Sequence, residues 1–180
     1  GGTVDNAGLA DVELFARQRL WQGANQVVSV QGLVSVPGGY DPDADLPLGR
    51  GQVDVEARAL WGGGYEVADV GVFYDLSAAY RKRFEEPGDE VRLDATLGLK
   101  PWTGWQILLQ SFNTIGVDNA DTGNGPFRES GLEFDRYKLQ ISVVRDLTET
   151  LALQVGGFSE FAGRNAGQGN AGFVALWLNF

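Results

Sequence analysis

The feature that most limits the fold of this chain is a period of two. Val53, Val55, Ala57, Ala59 and Trp61 alternate with Gln52, Asp54, Glu56 and Arg58. Val91, Leu93, Ala95, Leu97 and Leu99 alternate with Arg92, Asp94, Thr96, Gly98 and Lys100. Tyr137, Leu139, Ile141 and Val143 alternate with Arg136, Lys138, Gln140 and Ser142. Side chains two apart share one face of a strand, whereas a helix needs spacings of three and four. Each stretch therefore reads as a strand with one apolar and one wet face. The whole chain divides into about nine such stretches, which predicts an all-β fold. Residues 9–21 and 76–84 also permit an amphipathic helix. In residues 105–115 the faces stay open, because Ile107, Leu108 and Leu109 run together.

The connections sort by parity. Those near residues 23, 63, 103 and 148 are short, with Gly62-Gly63-Gly64 read as one of the turns. Those near 42, 88, 125 and 166 tend to be longer and polar, and Glu90 is read into the second of them. Short turns on one side and long loops on the other are expected of an outer-membrane barrel, and a sandwich has no reason to produce them. Trp21, Trp61, Trp102, Trp105, Tyr137 and Phe180 lie near strand ends, as interface girdles would.

The 180 residues suffice for a single domain. A net charge of −10 argues against a sequence-independent grip on nucleic acid. There is no cysteine, so neither a disulfide framework nor a thiolate metal site can form. There is no histidine either, which removes the usual general base and every Ser-His-Asp or Cys-His arrangement. Methionine is also absent, so a processed or trimmed chain is expected. No apolar run is long enough for a transmembrane helix; a mean hydropathy of −0.14 is compatible with a barrel in which alternate residues meet lipid.

The last stretch, Gly172-Phe173-Val174-Ala175-Leu176-Trp177-Leu178-Asn179-Phe180, is apolar, uncharged and ends on an aromatic. It resembles the final strand of bacterial outer-membrane β-barrels, although a last core strand of a soluble β-sandwich would also read this way. The order of short motifs resembles a group of bacterial outer-membrane channels named for the phenol-degradation (meta) pathway. The matching pieces are Gly8-Leu9-Ala10-Asp11, Val34-Ser35-Val36-Pro37-Gly38, Leu48-Gly49-Arg50-Gly51 and Asp54-Val55. Ala79-Tyr80-Arg81, Asp89-Glu90, Leu97-Gly98-Leu99-Lys100-Pro101, Leu108-Leu109-Gln110 and Leu176-Trp177-Leu178-Asn179-Phe180 continue the order. The resemblance implies a barrel of about twelve strands that moves small, often hydrophobic molecules, and it brings no catalytic residues. Strand number in such barrels is even, so a count of nine predicts roughly one to three further strands, N-terminal or from another chain, in a barrel of ten to twelve.

The charged strand faces supply the candidate site. Glu13, Arg17, Arg19, Asp54, Glu56, Arg58, Asp69, Asp75, Arg81, Arg92, Asp94, Arg136 and Lys138 are expected to line a lumen, ion-paired with one another. A pair of these carboxylates as acid and base is the weaker reading, and packing of a narrow polar interior the stronger. Asp41, Asp43 and Asp45 have a Ca²⁺-like spacing, but the loop pattern's sixth and twelfth positions are Leu46 and Gln52 rather than Gly and Glu. Asp118 to Gly125 offers similar oxygens. A solvated acidic loop is the better account of both. Gly49-Arg50-Gly51 and Gly62-Gly63-Gly64 make no phosphate loop, because no Gly-Lys-Ser/Thr follows.

The expectation is thus a single-domain, antiparallel up-and-down β-barrel of the bacterial outer membrane. It would act as a passive channel or transporter for small, hydrophobic or aromatic molecules, with no enzymatic activity and no cofactor. Its partners would be outer-membrane lipid and other envelope protein chains. Two alternatives stay open: a non-transporting structural or anchoring barrel in an envelope complex, and a soluble β-barrel that binds an apolar ligand.

Overall fold

The computed structural model describes residues 8–39, 48–49, 51–84, 88–117, 135–164 and 167–178. Nine strands follow one another: β1 (Val12–Gln22), β2 (Gln26–Val36), β3 (Asp54–Val67), β4 (Val70–Arg83), β5 (Glu90–Lys100), β6 (Trp105–Gly116), β7 (Asp135–Asp146), β8 (Leu151–Arg164) and β9 (Gly169–Leu178). They form one antiparallel sheet in which every strand pairs with its sequence neighbours, in the order β1 to β9. No helix occurs among the described residues. The helical readings of 9–21 and 76–84 give way to β1 and β4, because in each the period-two face finds a ladder partner on both sides or at a hairpin.

The connections are 23–25, 68–69, 101–104 and 147–150 at one end of the sheet. At the other end they are 37–53, 84–89, 117–134 and 165–168. The predicted turn at Gly62-Gly63-Gly64 is corrected. These glycines lie inside β3, and the chain reverses at Ala68 and Asp69, with φ of 49° and 63°. Two successive positive φ values define the hairpin turn whose twist matches its strands. The glycines serve packing instead: a Cβ on Gly63 would stand 2.7 Å from the Asn25 carbonyl oxygen and 2.9 Å from the Tyr74 ring. Glu90, read as loop, is the first residue of β5.

Register sorts the side chains onto two faces. One carries Val30, Val34, Val55, Leu76, Leu97, Leu109, Ile141 and Val155, all exposed, with Leu109 at 49% and Ile141 at 59%. The run Ile107-Leu108-Leu109 resolves here: Ile107 and Leu109 share this face, and Leu108 points the other way, buried. The opposite face carries the charged and amide side chains. No second layer packs on it among the described residues: close backbone approach joins only adjacent strands. Yet Glu56, Glu90, Arg81 and Arg83 on it are sealed from solvent. A single sheet achieves this only by curling over itself, so the polar face is concave. One cavity on that side, of about 690 Å³, is lined from β1 (Glu13) round to β7 (Arg136). Strands β1 and β9 do not pair, and the sheet is open. Every neighbouring pair is antiparallel, so β1 and β9 run in the same direction.

Candidate functional site: the concave polar face

Alternation places charged residues on the concave face of β1 and β3 to β5, concentrated towards the long-loop end. In register, Glu56 on β3 faces Arg81 on β4, which faces Glu90 on β5; Asp54 faces Arg83 one pair further along. Like charges therefore rarely meet, and a ladder of ion pairs forms. Arg81 donates to Glu56 at 2.9 Å and to Glu13 on β1 at 3.0 Å, and lies 3.6 Å from Asp54. Arg58 donates to Glu56 at 2.9 Å, to Asp94 at 2.5 Å and to the Ser77 hydroxyl at 2.7 Å. Arg92 holds Glu90 at 2.8 Å and reaches Glu56 at 3.5 Å, and Arg83 also pairs with Glu90. Glu56 thus serves three guanidiniums. Carboxylates buried in this way are held only if their oxygens are fully hydrogen-bonded, and the arginine fork supplies donors in pairs.

The concave face of β6 to β9 is built differently. Gln140 donates to Gln110 at 2.9 Å, and Gln110 to Thr96 at 3.3 Å. Trp177 donates to Gln154 at 2.9 Å, and Gln154 to Ser142 at 2.8 Å. Leu108, Val144 and Ala152 form a small apolar cluster, with Phe73 against it, towards the short-turn end. Phe73 lies across Gly98, where a Cβ would meet its ring at 2.0 Å; only glycine leaves the ring this seat. The Lys138 ammonium sits 3.9 Å from the Phe158 ring centroid and 5.7 Å from that of Phe112, a cation held by aromatic faces.

Of the predicted site residues, Glu13, Arg17, Arg19, Asp54, Glu56, Arg58, Asp75, Arg81, Arg92, Asp94, Arg136 and Lys138 share the concave face by register. Asp69 does not: it occupies the exposed β3–β4 turn, and its place there is corrected. Alternation counted from Asp75 gives it the right parity, but a turn ends the count. Arg17 donates twice to the Gln31 amide oxygen rather than to a carboxylate, at 3.0 and 2.8 Å. Among the described residues Arg136 has only Glu160, at 3.9 Å. Glu90 was missed although Glu90, Arg92 and Asp94 continue one alternating series; the acidic run before it hid the strand start. Phe112, Gln110, Gln140 and Gln154 carried no charge to mark them. Asp41, Asp43, Asp45 and residues 118–125 lie outside the described residues, and no other group of carboxylates suited to a metal occurs among those described.

Asp89, in the connection between β4 and β5, shapes the long-loop rim of the ionic half. Burial alone would raise its carboxyl, but hydrogen bonds from the Tyr80 hydroxyl, the Arg83 backbone N–H at 3.0 Å and the Lys82 ammonium at 3.0 Å outweigh it. They hold it below the usual aspartate value. Its own carbonyl accepts from the Val117 N–H at 2.8 Å, which fastens the end of β6 to this connection.

No family model, curated protein or solved structure matches this chain.

Proposed function

We propose that this sheet is the larger part of a closed β-barrel in the bacterial outer membrane and that it conducts small molecules through a polar lumen. The observation that carries the reading is the inverted polarity of the sheet. Most of its large exposed apolar side chains face outward, and the ion pairs centred on Glu56, Arg81, Arg83 and Glu90 are buried inward. In water each exposed leucine or isoleucine forfeits about 1.5–3 kcal/mol of burial, and contiguous patches of this size mark a surface made to be covered. Lipid covers such a surface with no further protein. Strands of 10 to 14 residues are long enough to cross a bilayer when tilted. Trp61, Tyr65 and Tyr74 pack together at the short-turn end, and Arg145 lies over Trp105 there, as at a headgroup boundary.

Because β1 and β9 point the same way, an antiparallel closure takes an odd number of intervening strands. One gives a barrel of ten and three gives twelve; eleven is excluded by direction. A second copy related by an axis along the barrel would set β1 beside a β9 of the same direction and would not give an antiparallel closure.

A second reading has its own support. The buried Arg–carboxylate network fills much of the concave face of β3 to β5, which suits a non-transporting barrel that anchors an envelope complex. Reconstitution of the full-length membrane protein into planar bilayers separates the two. Stepwise conductance is expected from the channel, and a protein that inserts and shifts on boiling but never conducts is the structural barrel. Recovery in the periplasm without detergent would sink both.

A further inference from the structure

On the concave face, a single row of register partners runs Arg17–Gln31–Arg58–Ala79–Arg92–Thr114–Arg136 from β1 to β7. An arginine stands on every second strand, and the row holds no carboxylate. All the acids that pair with it lie in the rows to either side. Resting on the channel reading above, we infer that this row is a ladder for small carboxylate anions.

Strand spacing puts successive arginines about 10 Å apart across the sheet. In a barrel with strands tilted by 35–45°, a register row climbs the axis, so each step rises by about 6 Å and the whole row by about 18 Å. That spans most of an outer-membrane hydrocarbon layer of about 25 Å. The row also borders two neighbouring cavities. Arg17, Arg58 and Arg92 line one of about 290 Å³, and Arg58, Arg92 and Arg136 line the other, of about 690 Å³. The middle two guanidiniums are held rigid by carboxylates, with side chains 15% and 21% exposed. The outer two are looser: among the described residues Arg17 hydrogen-bonds only a neutral amide, with the Asp75 carboxylate in electrostatic reach, and Arg136, 51% exposed, has one distant glutamate. Rigid rungs between loose ends suit passage, which needs each site to attract and none to trap. The planar fork of arginine matches a carboxylate with two parallel hydrogen bonds, and the Thr114 hydroxyl between Arg92 and Arg136 adds a donor. Phe112, beside Lys138 in the next row, offers an apolar surface to the body of the ion. The acidic connecting segments at the long-loop end would repel anions, but salt screens that field within about 8 Å, whereas the rungs act at contact.

The test is the reversal potential of single channels in a potassium chloride gradient, repeated with potassium acetate. The protein is the full chain extracted from outer membranes, as wild type, Arg17→Gln, Arg136→Gln and Arg145→Gln. Arg145 lies on the apolar face and serves as the control. Chloride is expected to permeate ahead of potassium, with that ratio falling about threefold in either ladder variant and unchanged in the control. Acetate is expected to permeate at least as well as chloride despite its lower free mobility. A cation-selective channel, or ladder variants that match wild type, would overturn the ladder and leave the channel reading intact. Acetate passing only in proportion to its free mobility would overturn the carboxylate class. Boiling-dependent gel mobility of each variant shows that it is folded, and a folded wild type with no conductance would instead overturn the channel.

Discussion

The two halves of the concave face solve the same problem with different chemistry. Both must fill the inside of a curled sheet with side chains that cannot leave a polar atom unpaired. Strands β1 to β5 do it with guanidiniums and carboxylates, centred on Glu56, which is nearly inaccessible to solvent. Strands β6 to β9 do it mainly with amides, hydroxyls and rings, such as Gln140 to Gln110 and Trp177 to Gln154, with Arg136, Lys138 and Glu160 as the charged groups towards the long-loop end. An ion-paired network gains more per contact but cannot lose a member cheaply, because the remaining charge stays buried. An amide chain gains less and forgives more. The ionic half is therefore expected to behave as a rigid wall, and the amide half as the side that tolerates change.

The largest expected effect follows from Glu56. Glu56→Ala leaves Arg58, Arg81 and Arg92 short of one shared carboxylate and is expected to destabilise the fold by about 3–5 kcal/mol. Denaturant unfolding of the protein in lipid vesicles measures it. A loss below 1 kcal/mol would mean that the network is solvated, and the distinction between the halves would fall.

Next comes a pair of substitutions on the outer face. Leu97→Arg lies behind the ionic half and Ile141→Arg behind the amide half, both exposed. If both halves sit at mid-bilayer, each is expected to cost about 2–4 kcal/mol in vesicles. Equal stability of either variant and wild type would place that half outside the lipid, and would limit the membrane surface to the other.

A smaller effect belongs to the long-loop rim. The Asp89 carboxyl is held below its ordinary value, so it stabilises the fold fully above the unfolded aspartate value, and that contribution is lost as pH falls through the lower folded value. Asp89→Asn is expected to remove about 1.5–3 kcal/mol at neutral pH and to flatten the acid limb of stability against pH. Protection of the Arg83 and Val117 amides against exchange, relative to the intrinsic rate at each pH, should fall in acid in the wild type while β8 stays protected, because the Asp89 carboxylate and carbonyl accept these N–H groups. Loss of protection in β8 at the same pH would show that the halves open together.

Much of this was legible in the sequence because alternation is a local signal that register then preserves. Asp54, Glu56 and Arg58 share a face by parity alone, and pairing with Arg81 and Arg83 needs only that the neighbouring strand be in step. What the sequence hid depended on where strands stop. Asp69 had the right parity and the wrong place, since Ala68 and Asp69 adopt positive φ without a glycine to announce it. The three glycines before them looked like the turn, but they lie inside β3, where Gly63 makes room for Asn25 and Tyr74. The arginine row was invisible for another reason: it joins residues 17, 58, 92 and 136, which become neighbours only through six successive registers.

The mildest prediction is also the sharpest test of the comparison. Gln110 sits in the middle of the amide half, accepting from Gln140 and donating to Thr96. Gln110→Ala removes two neutral hydrogen bonds and leaves one amide donor and one hydroxyl acceptor unmatched. Neutral bonds contribute about 0.5–1.5 kcal/mol each, and the concave side is polar enough for water to take the vacated place. A loss of about 1 kcal/mol is expected in the same vesicle unfolding assay, a small fraction of that for Glu56→Ala. Combining Gln110→Ala with Glu56→Ala should give additive losses, because the two side chains share no hydrogen-bond partner. A coupling above about 0.5 kcal/mol would mean that the two halves form one network, and the contrast between wall and tolerant side would have to be abandoned.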